Sequence, residues 1–187
     1  RSVKELIALA RANPGKLTYA STGNGTPPHV AGELLKQLAK IDIVHVPYKG
    51  SAAALTDVIA GQVPFMFVNT LSSIQYVRAG RLRAIAVGTK KRISIMPELP
   101  TLIESGVPDF DVSLWAGVLT TAGTPAEIIA RLNREIVAVL ALPDVNEKLI
   151  AEGADVMPSS PDEFSALTVS EIDRLGKIAR AARMRVD

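Results

Sequence analysis

Cysteine is absent from the 187 residues, histidine occurs twice and tryptophan once. The missing thiols exclude disulfides, thiolate metal sites and cysteine nucleophiles, while leaving the compartment open. His29 and His45 cannot make a zinc site unless the fold brings both imidazoles together with carboxylates, so no metal site is assigned. Charge of one sign is not in excess. The formal net charge is +2, too small for a dedicated nucleic-acid binder. No stretch approaches the roughly 20 apolar residues of a membrane span. No signal-peptide pattern opens the chain, so a targeting segment was either removed or never present.

Familiar catalytic motifs are missing too. The loop Gly23 to Pro28 lacks the Lys-Ser/Thr ending of a phosphate-binding P-loop. It also carries prolines where a dinucleotide fingerprint needs its helix-entry glycine. Ser21 has Tyr19 at the position where a nucleophile elbow requires glycine. Lys49 has no cofactor motif around it that would mark a Schiff-base lysine. No catalytic residue and no cofactor is therefore assigned.

What is present is an ordinary globular composition, 48% hydrophobic and 21% charged, long enough for one or two domains. Residues 1 to 112 carry 13 basic and 8 acidic side chains, whereas residues 113 to 187 carry 8 and 11. The asymmetry fits an anionic partner for the first part, or simply solvated faces of opposite sign.

Strand and helix patterns alternate through the first part. Ser2 and Glu5 form a capping-box pattern ahead of a helix that stops at Asn13-Pro14-Gly15. Leu17 to Thr22 reads as a strand. Thr26 can cap a helix reaching about Lys40, with Val30, Leu34, Leu35 and Leu38 on its buried stripe. Ile41 to Val46 is a second strand and Ser51 to Ala60 a helix. Val63 to Val68 reads as a strand, Thr70 to Ala79 as a helix and Leu82 to Val87 as another strand. Such alternation specifies a parallel α/β sheet with helices on both faces.

Beyond it, Thr101 to Ser105 reads as a short helix and Val112 to Thr121 as a long strand. Thr124 to Glu127 and Ser160 to Glu163 are further capping boxes. The helix after Thr124 is expected to bury Ile128, Leu132, Ile136 and Leu140. Pro143 begins another helix, Ala154 to Met157 is a short strand, and a last helix runs from Pro161 toward Arg183. Arg174, Lys177, Arg180, Arg183 and Arg185 form a basic stripe without interleaved aromatics, which reads as a solvated helix face. The region from Ala122 onward is mostly helix with little sheet of its own, and is expected to pack on strands this chain hardly contains.

Loops rich in small polar residues follow the first strands: Ser21 to Thr26, Tyr48 to Ser51, and Asn69-Thr70. In an open α/β sheet they fall at the carboxyl edge, where ligands bind. Helix N-termini there favour a carboxylate or phosphate. Thr22, Thr26 and Ser51 can add hydroxyls, and Tyr48 can stack or hydrogen-bond. His45, alternating with Val44 and Val46, reads as a structural histidine. His29, in a first helical turn, can bond a neighbouring loop or face a ligand. Without a base, nucleophile or metal, the set favours binding over catalysis.

Several segments carry a family resemblance. They are Lys16 to Ser21 leading into Gly23-x-Gly25-Thr26-Pro27-Pro28-His29, then His45-Val46-Pro47-Tyr48-Lys49-Gly50, then Gly61-Gln62-Val63. Ala79-Gly80-Arg81-Leu82-Arg83-Ala84, Pro97-Glu98-Leu99-Pro100-Thr101, Trp115-Ala116-Gly117 and Gly123-Thr124-Pro125 follow in order. The chain resembles the Bordetella uptake gene (Bug, TctC-like) family, the extracytoplasmic solute receptors of tripartite tricarboxylate transporters.

That resemblance implies a clamp of periplasmic-binding-protein type II, crossed twice by the chain. Residues 1 to 13 would be a linker helix from domain 1, 14 to 111 the complete domain 2, and 112 to 187 the returning part of domain 1. The N-terminal part of domain 1, with its own carboxylate loop, would be missing, as would the signal peptide. The resemblance further implies a periplasmic protein, not inserted in the membrane and not bound to nucleic acid. It would capture a small carboxylate and deliver it to a membrane permease as a hinge closes.

Ligand contacts would come from Ser21, Thr22, Gly23, Asn24, Gly25, Thr26, His29, Tyr48, Lys49 and Gly50, with Asn69 and Thr70 shaping the far end. The family pattern is departed from at Pro64, where Asp commonly stands, and at Val68, often polar. The second departure leans toward a mono- or dicarboxylate over an amino acid. The alternatives are a ligand-sensing regulatory domain, which needs a DNA-binding domain upstream, and an enzyme acting on an anion, which needs a titratable cleft residue.

Overall fold

In a computed structural model, residues 2 to 184 are described. Arg185 of the basic stripe lies outside them. Helix α1 (Val3–Ala12) starts at Ser2, whose hydroxyl accepts the Glu5 N–H at 3.2 Å. Strand β1 (Leu17–Ser21), α2 (Pro27–Ala39), β2 (Ile43–Pro47) and α3 (Ser51–Ile59) then alternate as expected. β1 and β2 pair in parallel, with Leu17 opposite Ile43 and Ser21 opposite Pro47. A parallel pair needs a crossover, and α2 supplies it.

α2 is buried along most of its length, including Val30, Leu34 and Leu35. It lies so close to β1 that a Cβ on Gly32 would come within 2.0 Å of the Tyr19 ring. Glycine is what lets that helix approach the fully buried Tyr19. Around this contact gather Val3, Ala10, Leu35, Ile43, Leu102, Val107 and Phe110, the main core. α4 (Thr70–Arg78) completes the first part, its first turn capped by Asn69.

The expected strand at Val63 to Val68 contracts to one parallel bridge, Met66 to Ala20, with the Ala20 N–H donating to the Phe65 carbonyl and the Phe67 N–H to the Ala20 carbonyl. Pro64 offers no N–H to a ladder, which helps explain the shortening. The strand at Leu82 to Val87 is likewise reduced to a bridge between Val87 and Thr101. Thr101 to Ser105 is a single turn rather than a helix. Thr101 Oγ1 accepts the Glu104 N–H at 3.0 Å, and the Glu104 carboxylate accepts the Thr101 N–H at 2.8 Å.

Residues 112 to 121 form no strand: after the Val112 N–H bonds the Gly88 carbonyl, the backbone runs exposed with no neighbouring strand to pair with. Ala154 to Met157 is not a strand either, for the same reason. Helices α5 (Ala126–Leu140), α6 (Pro143–Ala151) and α7 (Pro161–Ala181) do form. α7 begins with the complete Ser160–Glu163 capping box. The expected box at Thr124 does not form, because Thr124 Oγ1 donates back to the Thr121 carbonyl at 2.9 Å and Pro125 is the cap residue. Nor does α5 bury its stripe. Ile128 and Leu132 are 44% and 41% exposed, and Ile136 and Leu140 are only half-buried, since no sheet lies against them.

What joins this region to the core is α7, which packs on α2 and sends Ile178 against the main core. Arg174 donates to the Asp111 carbonyl and forms a two-pronged pair with Glu171, at 2.8 and 2.7 Å. That pairing holds the Arg174 pKa above its ordinary value and Glu171 below. Arg174 is thus a structural tie rather than part of a solvated stripe, whereas exposed Lys177 simply pairs with Asp173 at 2.7 Å.

Candidate anion-binding site

The loops after β1 and β2 meet through the backbone. The Tyr48 N–H donates to the Ser21 carbonyl and the Gly50 N–H to the Thr22 carbonyl, each at 3.2 Å. This sets the Ser21 to Thr26 loop beside the start of α3, as sheet topology dictates for successive parallel strands.

Many of the expected ligand groups are spent within the protein. Ser21 is fully buried, and its hydroxyl donates to the Gly23 carbonyl at 3.1 Å while accepting the Gly23 N–H at 3.2 Å. His45 Nε2 stands 2.6 Å from the same oxygen. This serine–histidine pair braces the loop, the buried hydroxyl being engaged by the Gly23 carbonyl, the Gly23 N–H and the imidazole. Thr26 Oγ1 donates to the Gly23 carbonyl at 2.7 Å and caps nothing. The Gly25 N–H donates to His29 Nδ1 at 3.1 Å. His29, 7% exposed, is therefore buried against the neighbouring loop and bonded to it. Tyr48 donates its hydroxyl to Asp57 at 2.6 Å, and that bond raises its pKa. Asn69 Oδ1 accepts the Ser72 N–H as a helix cap. Thr70 lies against Gly153 of the later helical region, at the far end.

The groups still available come mainly from α3. Gly50, at φ 112°, is its cap residue and provides no side chain. A helix leaves its first N–H groups without intrahelical acceptors, so Ser51, Ala52 and Ala53 present donors at a partial positive charge. α2 is poorer in this respect, because Pro27 and Pro28 have no N–H. Ala52 and Ala53 bear no chemical signal in their side chains, and only the glycine before the helix hints at them. The Thr22 hydroxyl and the exposed Lys49 complete the rim, and Asn24, in the same loop as Thr22, is exposed.

Under this rim the two imidazoles stack face to face, centroids 3.8 Å apart and planes 12° from parallel. Tyr19 stacks on His45 in turn, and its hydroxyl donates to Glu33 at 3.0 Å. Burial is the main cause that lowers both histidine pKa values, that of His45 to about 4, with the neighbouring His29 adding to its shift. Burial and Glu33 push Tyr19 up. Among the described residues no cluster of three or more histidine, aspartate or glutamate side chains could hold a metal ion, and no helix is long and apolar enough to cross a membrane.

A parallel α/β layer with loops gathered on one edge is the architecture this chain shares with solved structures of solute-binding proteins. The chain matches R. palustris Rpa4515, solved with adipate, at a TM-score of 0.90 and 36% identity, covering 98% of this chain and 61% of that one. MatC from Rhodopseudomonas palustris with bound malate matches at 0.81 and 28% identity, covering 95% and 62%. The periplasmic binding protein BugD matches at 0.83 and 28% identity, with 98% and 62% covered.

A model described as the tripartite tricarboxylate transporter family receptor matches residues 1 to 184, and the chain belongs to that family. Among curated relatives, a UPF0065 protein in the tcbD-tcbE intergenic region of Pseudomonas sp. strain P51 is 39% identical over 188 residues, spanning 100% of this chain and 56% of that protein. BugT of Bordetella pertussis is 34% identical, spanning 96% and 55%. The chain thus covers little more than half the length of these relatives.

Proposed function

We propose that this chain supplies one wall of the ligand cleft in a periplasmic receptor that captures a small mono- or dicarboxylate for a membrane permease. It binds its ligand without turning it over. The observation that carries the reading is the uncapped start of α3, joined through Gly50 and Thr22 to the Ser21 to Thr26 loop. Its N–H groups suit one carboxylate, and Lys49 beside them adds the only full positive charge in the Ser21 to Thr26 and Tyr48 to Ser51 loops. In this reading residues 14 to 111 make one domain of a clamp, and residues from 112 return to the other, with 1 to 13 linking them. Closure follows from contacts the ligand makes only when both walls reach it.

The test is a thermal-shift series on the natural full-length protein with adipate, malate, other mono- and dicarboxylates, and amino acids. A ligand at a hundred times its dissociation constant stabilises by about 2.7 kcal/mol, a shift of several degrees. A response confined to carboxylates is expected. A folded protein that responds to amino acids alone, or to none of the panel, overturns the reading.

A further inference from the structure

The stacked histidines do work that a core packing role does not require. Each ring contacts the ligand loop with a polar atom: His29 Nδ1 accepts the Gly25 N–H, and His45 Nε2 meets the Ser21 hydroxyl that brackets Gly23. We propose that His29 and His45 are positioning residues of the Ser21 to Thr26 loop, holding it in its anion-binding shape, His45 through its Nε2 donor and His29 through an acceptor that it keeps only while neutral. The inference rests on the receptor reading above for its ligand, but not for its chemistry.

The reason lies in the donor count. A neutral imidazole offers one acceptor nitrogen, and an imidazolium offers none. Protonating His29 at Nδ1 sets an N–H against the Gly25 N–H across 3.1 Å. The ring cannot turn away freely, because His29 is buried and stacked on His45. A charge on either ring also meets the other across the stack. Within α2, Glu33 favours the charged form of both rings, and Lys36, 3.0 Å from Glu33, opposes it. Tyr19 of β1 stays neutral and occupies Glu33, whereas Asp57 of α3 is occupied by Tyr48. On α7, packed against α2, Glu171 pairs with Arg174 and Asp173 with Lys177. The burial that depresses both histidines keeps the pair neutral near pH 7, and acid removes that state.

Two substitutions separate position from charge. His29→Asn keeps an acceptor near Nδ1 and cannot titrate; His45→Gln keeps a donor near Nε2 on the same terms. Affinity for adipate and malate is measured by calorimetry from about pH 8 to about pH 4.5 in the natural full-length protein and in the double variant. Taking the ratio of the two affinities cancels titration of the ligand itself. Relative to its value at high pH, the wild-type to variant affinity ratio is expected to fall about tenfold toward the acid end. His29→Ala, lacking the acceptor, is expected to weaken binding at every pH.

A second readout needs no ligand. The Gly25 amide is followed by NMR and hydrogen exchange over the same range, and it should lose protection with the pH at which His29 titrates. Equal pH profiles in wild type and double variant, wild-type affinity that rises relative to the variant in acid, or a Gly25 amide indifferent to His29 would each overturn the proposal. If neither carboxylate binds at any pH, the receptor reading fails for them, and the Gly25 amide still decides this one.

Discussion

Every hydrophobic side chain buried in the described residues lies between Val3 and Phe110, whereas twelve of the sixteen exposed large hydrophobics lie between Leu114 and Ile172. Both regions form helices where the sequence pattern places them, α2 and α3 in the first and α5 to α7 in the second. They differ in what stands opposite each helix. α2 has β1 and β2 against it, and Tyr19 fills the space over Gly32. Among the described residues α5 packs chiefly on α6 and α7, and its apolar stripe stays half in water. Local signals suffice to make a helix; burial needs a second surface with the right shape.

That contrast can be broken or sharpened by substitution. Phe110→Ala should produce the largest loss, about 3 to 5 kcal/mol in urea unfolding, because a fully buried ring leaves a cavity in the main core. A loss under about 1 kcal/mol would mean that the first region is no better packed than the second.

Acid should act next, and on the first region. The His45 pKa falls from 6.5 to about 4 on folding, so the folded state binds its proton less readily than the unfolded one. The resulting stability is whole above about pH 6.5 and is lost as pH falls through that window toward 4. The urea midpoint of the wild type should drop between about pH 7 and about pH 4.5, and His45→Gln should drop less. An identical drop in both would assign the effect to other groups.

Arg174→Met cuts the tie between α7 and Asp111 and is expected to cost about 1 to 2 kcal/mol. Its signature is faster proteolysis within residues 112 to 181, with hydrogen exchange in β1 unchanged. Equal loosening of β1 would show that the regions unfold as one.

The smallest effect belongs to Leu119→Ala, at 81% exposure, expected within about 0.5 kcal/mol in this chain. The same substitution in the natural full-length protein sharpens the comparison. If the clamp reading is right, Leu119 is covered there and its loss costs several times more. An unchanged, near-zero cost in both settings would remove the reason for treating residues 112 onward as part of a larger domain.

Much of this architecture was legible in residue order. The caps at Ser2 and Ser160, the start of α2 at Pro27 and the alternation from Leu17 to Ile59 all depend on neighbours within four residues, where pattern and geometry are tightly coupled. The strands expected at Val63, Leu82, Val112 and Ala154 were not realised at their full length. A β-branched run states a capacity to pair, and the partner edge decides whether it does.

The site was legible to the same depth. Its loops are where the strand order puts them. Thr26, Tyr48 and Asn69 carry donors or acceptors that any reading would offer to a ligand, and the fold gives each a protein partner as well. Ala52 and Ala53 offer only backbone N–H groups, so the sequence pointed to the N-terminus of that helix as a whole and not to them by name.

The sequence by itself determined the class of fold, the position of the long helices and the edge on which the Ser21 to Thr26 and Tyr48 to Ser51 loops fall, since these follow from periodicity and turn chemistry. Only the tertiary structure decided which polar groups remain free on that edge and that His29 and His45 stack beneath it. Those facts depend on distances between residues far apart in the chain, such as the 3.8 Å between two rings on different elements. No local pattern encodes such a distance, because it is fixed by how closely α2 settles on the sheet.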